Sequence, residues 1–196
     1  MKTFQHSSNH NNTVVLPISS VRDWVFQFLM IGVAVLLPAV AHLTGAPVRW
    51  LLPMHWSVVF AALVYGWRGG LTVGALAPAS NLLLTGYPLL IKAIPMTFEL
   101  AIYGLVIGLL LEKGWNSYVA VAVGLVVGRI VFLGVIIMTG ANEVILAQYL
   151  VVAMIPGLVA GLGMIIILPT LAGKWFKIAN TSQNKLRRKS GNNIGK

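Results

Sequence analysis

Cysteine is absent from the 196-residue chain, and only Asp23, Glu99, Glu112 and Glu143 are acidic. Without cysteine there are no disulfides, no thiolate nucleophile and no cysteine-based metal site. So few carboxylates leave no diacid pair within any apolar segment, and no GxSxG, HExxH or phosphate-cradling GxxxxGK[ST] pattern occurs. The reading is therefore of a protein that is not an enzyme, needs no cofactor and cannot hydrolyse ATP by itself. Charge of either sign is scarce, at 9% of residues against 58% hydrophobic, with a mean hydropathy of +0.86. Soluble domains carry about a quarter charged residues, so this chain cannot dress a water-facing surface, and an all-α membrane protein is expected.

The apolar segments set the organisation. Residues 1–23 read as a polar, Asn/His/Ser-rich cytosolic tail. Trp24 to Leu43 is too long for a signal-peptide core and is read as a retained first span. After a loop broken by Gly45, Pro47 and Pro53, Met54 to Tyr65 and Leu71 to Thr85 form two short spans around the tight reversal YGWRGG. A fourth span, with Pro88 and Pro95 at its start, ends at Leu111. Tyr118 to Met138 is the fifth and Val144 to Leu171 the sixth, before a basic tail over residues 174–196. The expected fold is a compact bundle of six transmembrane helices over residues 24–173.

Six spans place both termini on one side. That side then holds eleven of the fourteen Lys and Arg residues, the other side holds Arg49 and Lys92, and Arg129 is left inside span five. The positive-inside rule puts the basic side, and both termini, in the cytosol. The net charge of +10 sits mostly at the chain ends rather than along one face, so it reads as a topological anchor for anionic lipid and not as a nucleic-acid surface.

Ionisable groups inside spans are costly and are functional hypotheses by default. Lys92, Glu99 and Tyr103 are seven and four residues apart and share one face of span four. Glu99 and Arg129 lie at similar depth, so an ion pair between them is expected, either fastening two helices or contributing to a ligand pocket. Trp50, His55, Asn81, Tyr87, Asn142, Glu143, Gln148 and Tyr149 would ring the outward mouth, where amides and aromatics suit a small polar or heterocyclic ligand. Small residues four apart, such as Gly70 and Gly74, Gly104 and Gly108, Gly124 and Gly128, or Gly157 and Gly161, mark close helix packing or a surface for another membrane subunit. His42 and His55, without carboxylate or thiolate company, make a poor metal site.

Several stretches together carry a family resemblance: AVLLPAVAH (Ala34 to His42), LPMHWSVVFAALVYGWRGGLTVGALAPASNLLLTGYP (Leu52 to Pro88), FELAIYGLVIGLLLEK (Phe98 to Lys113) and PGLVAGLGMIIILPTLA (Pro156 to Ala172). In order and spacing they resemble the substrate-binding S components of energy-coupling factor (ECF) transporters. The resemblance implies a subunit in the plasma membrane of a prokaryote that captures a vitamin, a vitamin precursor or a similar micronutrient. It also implies docking on a transmembrane coupling subunit served by two cytosolic ATPases, with toppling of the subunit in the bilayer to release its ligand. Position matches to the family place Trp50 and His55 on a lid side and Asn81, Lys92, Glu99, Tyr103, Arg129 and Gln148 in the pocket. The family docks through small residues of helix one, for which Gly32, Ala34, Ala39 and Ala41 are the candidates here, although no strict Ala-xxx-Ala occurs. Met54-His55 resembles the Met-His pair of cobalt-type S components, but it is internal rather than N-terminal, which argues against a metal cargo.

Overall fold

A computed structural model describes residues 15–16, 18, 21–45, 48–139 and 154–177, and in these the regular structure is entirely helical. The helices are α1 (Val21–Leu43), α2 (Val48–Leu51), α3 (Pro53–Thr85), α4 (Leu90–Glu112) and α5 (Ser117–Met138), followed by α6 (Met154–Lys177). All but the single-turn α2 are long and apolar enough to cross a membrane, which makes five such helices among the described residues. The two short spans expected around YGWRGG thus belong to one 33-residue element, α3. Helix α1 takes in Asp23, and α6 continues through Lys174 to Lys177, so both ends run past the expected span boundaries. The first ten residues of the expected sixth span, 144–153, lie outside the described residues.

A straight helix of that length would measure about 50 Å, well beyond a hydrocarbon core of about 30 Å. Helix α3 is not straight, because Gly66 has φ 66° and ψ −157°, a conformation that residues with a Cβ rarely adopt. The chain folds back at this point. A Cβ on Gly70 would stand 2.7 Å from the Cβ of Ala62, and one on Gly69 would stand 3.3 Å from the carbonyl oxygen of Ala61. Residues eight apart in a continuous helix are about 12 Å apart along its axis. Residues 53–65 and 67–85 therefore lie side by side, and His55 and Asn81 at their far ends wall the same cavity. Gly66 is also crowded: a Cβ there would meet Val15 Cγ1 at 2.6 Å and Glu112 Oε1 at 2.8 Å.

Glycine brings the neighbouring helices together at backbone level. A Cβ on Gly70 would lie 2.6 Å from Gly104 Cα, one on Gly74 would lie 2.6 Å from the carbonyl carbon of Leu100, and one on Gly108 would collide with the backbone of Trp67. These three contacts run α4 antiparallel to the second half of α3. Along α5, Gly124 faces Ile107 and Gly128 faces Tyr103, while Gly161 of α6 faces Leu125. In lipid, apolar side chains gain little by leaving the acyl chains, so association depends on close van der Waals approach of this kind. The core between the helices is small and aliphatic, with Ala34, Val58, Ala62, Val73, Ala77, Leu100, Ile107 and Val121 fully buried.

One end of the bundle gathers the start of α1, the Gly66 bend and the end of α6. Trp175 packs on Phe26 and Phe60, with ring centroids 5.7 and 6.4 Å away, and the Tyr65 hydroxyl donates to Asp23 Oδ1 at 3.1 Å. Arg68, Lys113, Lys174 and Lys177 lie at this end and Lys92 at the other. The end of α4 turns into α5 through Asn116, whose side chain caps α5 by accepting from the backbone N–H of Tyr118 at 2.9 Å.

Close backbone approach and open surface give opposite signs for the same substitution. Gly104→Ala, whose Cβ would collide with the Gly70 backbone, is expected to cost about 1–3 kcal/mol or more by overpacking. Gly32→Ala, with nothing within 4 Å, is expected to gain up to about 1 kcal/mol from helix propensity. Equilibrium unfolding in mixed micelles measures both.

Candidate functional site

Near the middle of α4, Glu99 and Tyr103 sit four residues apart on one buried face, 1% exposed each. The Tyr103 hydroxyl donates to Glu99 Oε1 at 2.5 Å, and Arg129 Nη1, reaching over from α5, lies 3.1 Å from the same oxygen. The expected ion pair is thus formed. A carboxylate taken out of water costs several kcal/mol unless it is paired and hydrogen-bonded, and here one oxygen receives both kinds of partner. The guanidinium also stands 5.5 Å from the centre of the Phe132 ring, a distance at which a cation is attracted to the aromatic face.

Two glycines make room for this cluster. A Cβ on Gly128 would collide with the Tyr103 ring, and one on Gly157 would lie 2.7 Å from Arg129 Nη2. His55, at the start of α3, completes the group. Its Nε2 is 3.9 Å from Glu99 Oε2, too far for a hydrogen bond, and its ring centre is 5.7 Å from that of Tyr103. Neither ring nitrogen has a hydrogen-bond partner among the described residues, although the side chain is buried.

His55 and Leu52 stand between two cavities. The inner one, of about 340 Å³, has His55, Tyr103 and Arg129 at its polar end and aliphatic walls from α5 and α6, including Leu125, Leu133 and Leu158. The outer one, of about 310 Å³, is lined by Asn81, Tyr87, Lys92 and Met96 as well as His55. Leu52 is the single non-glycine residue among those described with positive φ, at 43°, and its carbonyl accepts the backbone N–H of His55 at 2.9 Å. Asn81 is buried and accepts from the Thr85 hydroxyl through Oδ1 at 3.2 Å, while Lys92 is exposed at the rim.

Of the residues expected to bind ligand, His55, expected on the lid side, meets the pocket residues Tyr103 and Arg129 around the inner cavity, with Glu99 behind them, and Asn81 and Lys92 wall the outer one. Trp50 lines neither cavity. It lies on α2, about half exposed. Gln148 lies outside the described residues, as do Asn142, Glu143 and Tyr149. On α1, Ala34 and Ala41 face inward and are buried, so only Gly32, exposed, and Ala39, half-buried, leave small-residue surface on the outside of that helix. No cluster of three or more potential metal ligands occurs among the described residues.

The aliphatic wall of the inner cavity carried no sequence signal, because leucines facing a cavity and leucines facing lipid look alike in an apolar span. Gly157 did carry one, as half of a small-residue pair, but its role is to admit a guanidinium rather than a helix. Comparison with protein-family models, with curated proteins and with solved structures yields no match.

Tyr103→Phe removes a donor to a buried carboxylate and leaves the ring in place. A hydrogen bond to a charged group contributes about 1.5–3 kcal/mol, so the variant is expected to lose that much stability in equilibrium unfolding. An unchanged midpoint would mean that the hydroxyl does not serve Glu99.

Proposed function

We propose that the chain is the substrate-capture subunit of an ATP-driven ECF-type importer, binding a vitamin-like micronutrient from outside a prokaryotic cell. The observation that carries the reading is a membrane-type helical bundle holding a buried charged cluster beside two adjoining cavities, in a chain with no phosphate-binding motif of its own. The six-span reading needs the two halves of α3 to count as separate membrane helices. The gathering of Arg68, Lys113, Lys174 and Lys177 at the bend end supports a cytosolic position for that end and both termini.

In this reading ligand enters at the outer cavity past Tyr87, Asn81 and Lys92 and reaches His55, the residue common to both cavities. The Glu99–Arg129 pair holds α4 to α5 in the empty protein, at the edge of the inner cavity. Energy comes from outside the chain, through a membrane coupling subunit and two cytosolic ATPases that hydrolyse the nucleotide. Gly32 and Ala39 on the outer side of α1 are the small residues left for docking on that subunit.

One observation favours a second reading. The charges of Glu99 and Arg129 compensate each other within the chain, as they would in a membrane protein whose ion pair only fastens helices. Gentle detergent extraction of the tagged chain from its host, followed by mass spectrometry of co-purifying proteins, separates the two. Two ABC-type ATPases and a second membrane subunit are expected. An intact, monodisperse chain with neither would overturn the importer reading and favour a solitary transporter or a structural protein.

A further inference from the structure

The inner cavity is chemically lopsided. Among the described residues its polar groups, His55, Tyr103 and Arg129, lie at one end, and the rest of the lining is aliphatic, methionine or glycine. Two of the three are already engaged: the Tyr103 hydroxyl donates to Glu99 and the charge of Arg129 is balanced by the same carboxylate. A ligand carboxylate would have to share Arg129 with Glu99, placing two anions on one guanidinium beside a wall whose described residues add no other polar group. A ligand cation would meet Arg129 itself. Burying an uncompensated charge in such a place is strongly unfavourable.

His55 is different, since both ring nitrogens lack hydrogen-bond partners among the described residues. A neutral imidazole offers one donor and one acceptor, and leaving both unmade in a buried position costs free energy. The far side of the cavity has a further feature. Val126 and Ile130 of α5 and Leu158 and Leu162 of α6 line it while remaining more than half exposed, so the opening between these helices faces acyl chains.

We propose that the inner cavity takes a largely apolar, uncharged molecule with a single hydrogen-bonding group, which seats on His55 while its body lies against the α5 and α6 wall. This names the ligand class for the capture reading above and rests on it. An acyl chain of a bilayer lipid shares the apolar chemistry but has no use for His55, and that difference makes the two sources separable.

The test uses the full chain in lipid nanodiscs, titrated with three probes of one shape: 2-naphthol, naphthalene and 2-naphthoate, with empty nanodiscs as the partition baseline. Saturable binding of 2-naphthol at one per chain is expected, at least about tenfold tighter than naphthalene or 2-naphthoate, the difference that one hydrogen bond or one uncompensated charge makes. His55→Leu should lower 2-naphthol affinity about tenfold with the fold retained, because neither ring nitrogen makes a hydrogen bond among the described residues. Gly161→Leu should abolish saturable binding by filling the cavity, since a Cβ there meets only Leu125 Cδ1, at 3.6 Å. If that variant does not fold, Leu158→Trp fills the same space from the lipid side.

Equal binding of naphthalene and 2-naphthol, unaffected by His55→Leu, would overturn the proposal in favour of a groove for acyl chains. Tighter binding of 2-naphthoate would make the site one for anions, and no saturable binding of any probe would remove it. Each of these results combined with recovery of the two ATPases would leave the importer reading standing with a different ligand class. Loss of the ATPases with saturable 2-naphthol binding would do the reverse.

Discussion

A carboxylate in the middle of a lipid-embedded bundle must be compensated from within the protein, and the packing around Glu99 follows from that constraint. Glu99 is almost wholly buried and the bilayer core offers no donors, so Arg129 comes from α5 and Tyr103 from the next turn of α4. Both arrivals need space. Gly128 leaves it for the tyrosine ring and Gly157 for the guanidinium, so three helices, α4, α5 and α6, are held in register by one charge. The same arrangement leaves His55 at the edge of the cluster, with no hydrogen bond to either ring nitrogen among the described residues, where the proposed ligand would find its polar contact.

Backbone proximity is the second constraint, and it explains why a chain with so few polar contacts holds together. Gly70, Gly74, Gly104 and Gly108 let α3 and α4 touch at main-chain distance, where dispersion is strongest. Gly66 turns that interface into a fold-back by taking a conformation closed to other residues. The short spans on either side then pack against each other, with Ala62 opposite Gly70. Their far ends bring His55 and Asn81 together at the outer cavity.

Much of this was legible in the sequence because membrane helices leave coarse signals. Long apolar runs marked α1, α4 and α5 to within a few residues, and equal depth marked the pairing of Glu99 with Arg129. YGWRGG marked the reversal, although the backbone there departs from helix at Gly66 alone and α3 is continuous on either side of it. The inward face of α1 was not legible. Ala34 and Ala41 are seven residues apart on the buried side, and hydropathy does not distinguish the two sides of a helix bathed in lipid. Trp50 suits a lid by type, but its position on α2 keeps it off both cavities. Nor could spacing show that His55 would be shared by two cavities, since that depends on how the far ends of the two α3 halves converge.

A double-mutant cycle on Glu99→Gln and Arg129→Met, read by equilibrium unfolding, tests most directly whether the buried charge organises the bundle. Arg129→Met alone leaves the carboxylate uncompensated and should cost about 3 kcal/mol. The double variant should recover much of that loss, with a coupling energy between the two sites of about 1–3 kcal/mol. Additivity within about 0.5 kcal/mol would contradict the account, because it would mean that the two side chains stabilise the protein independently of each other.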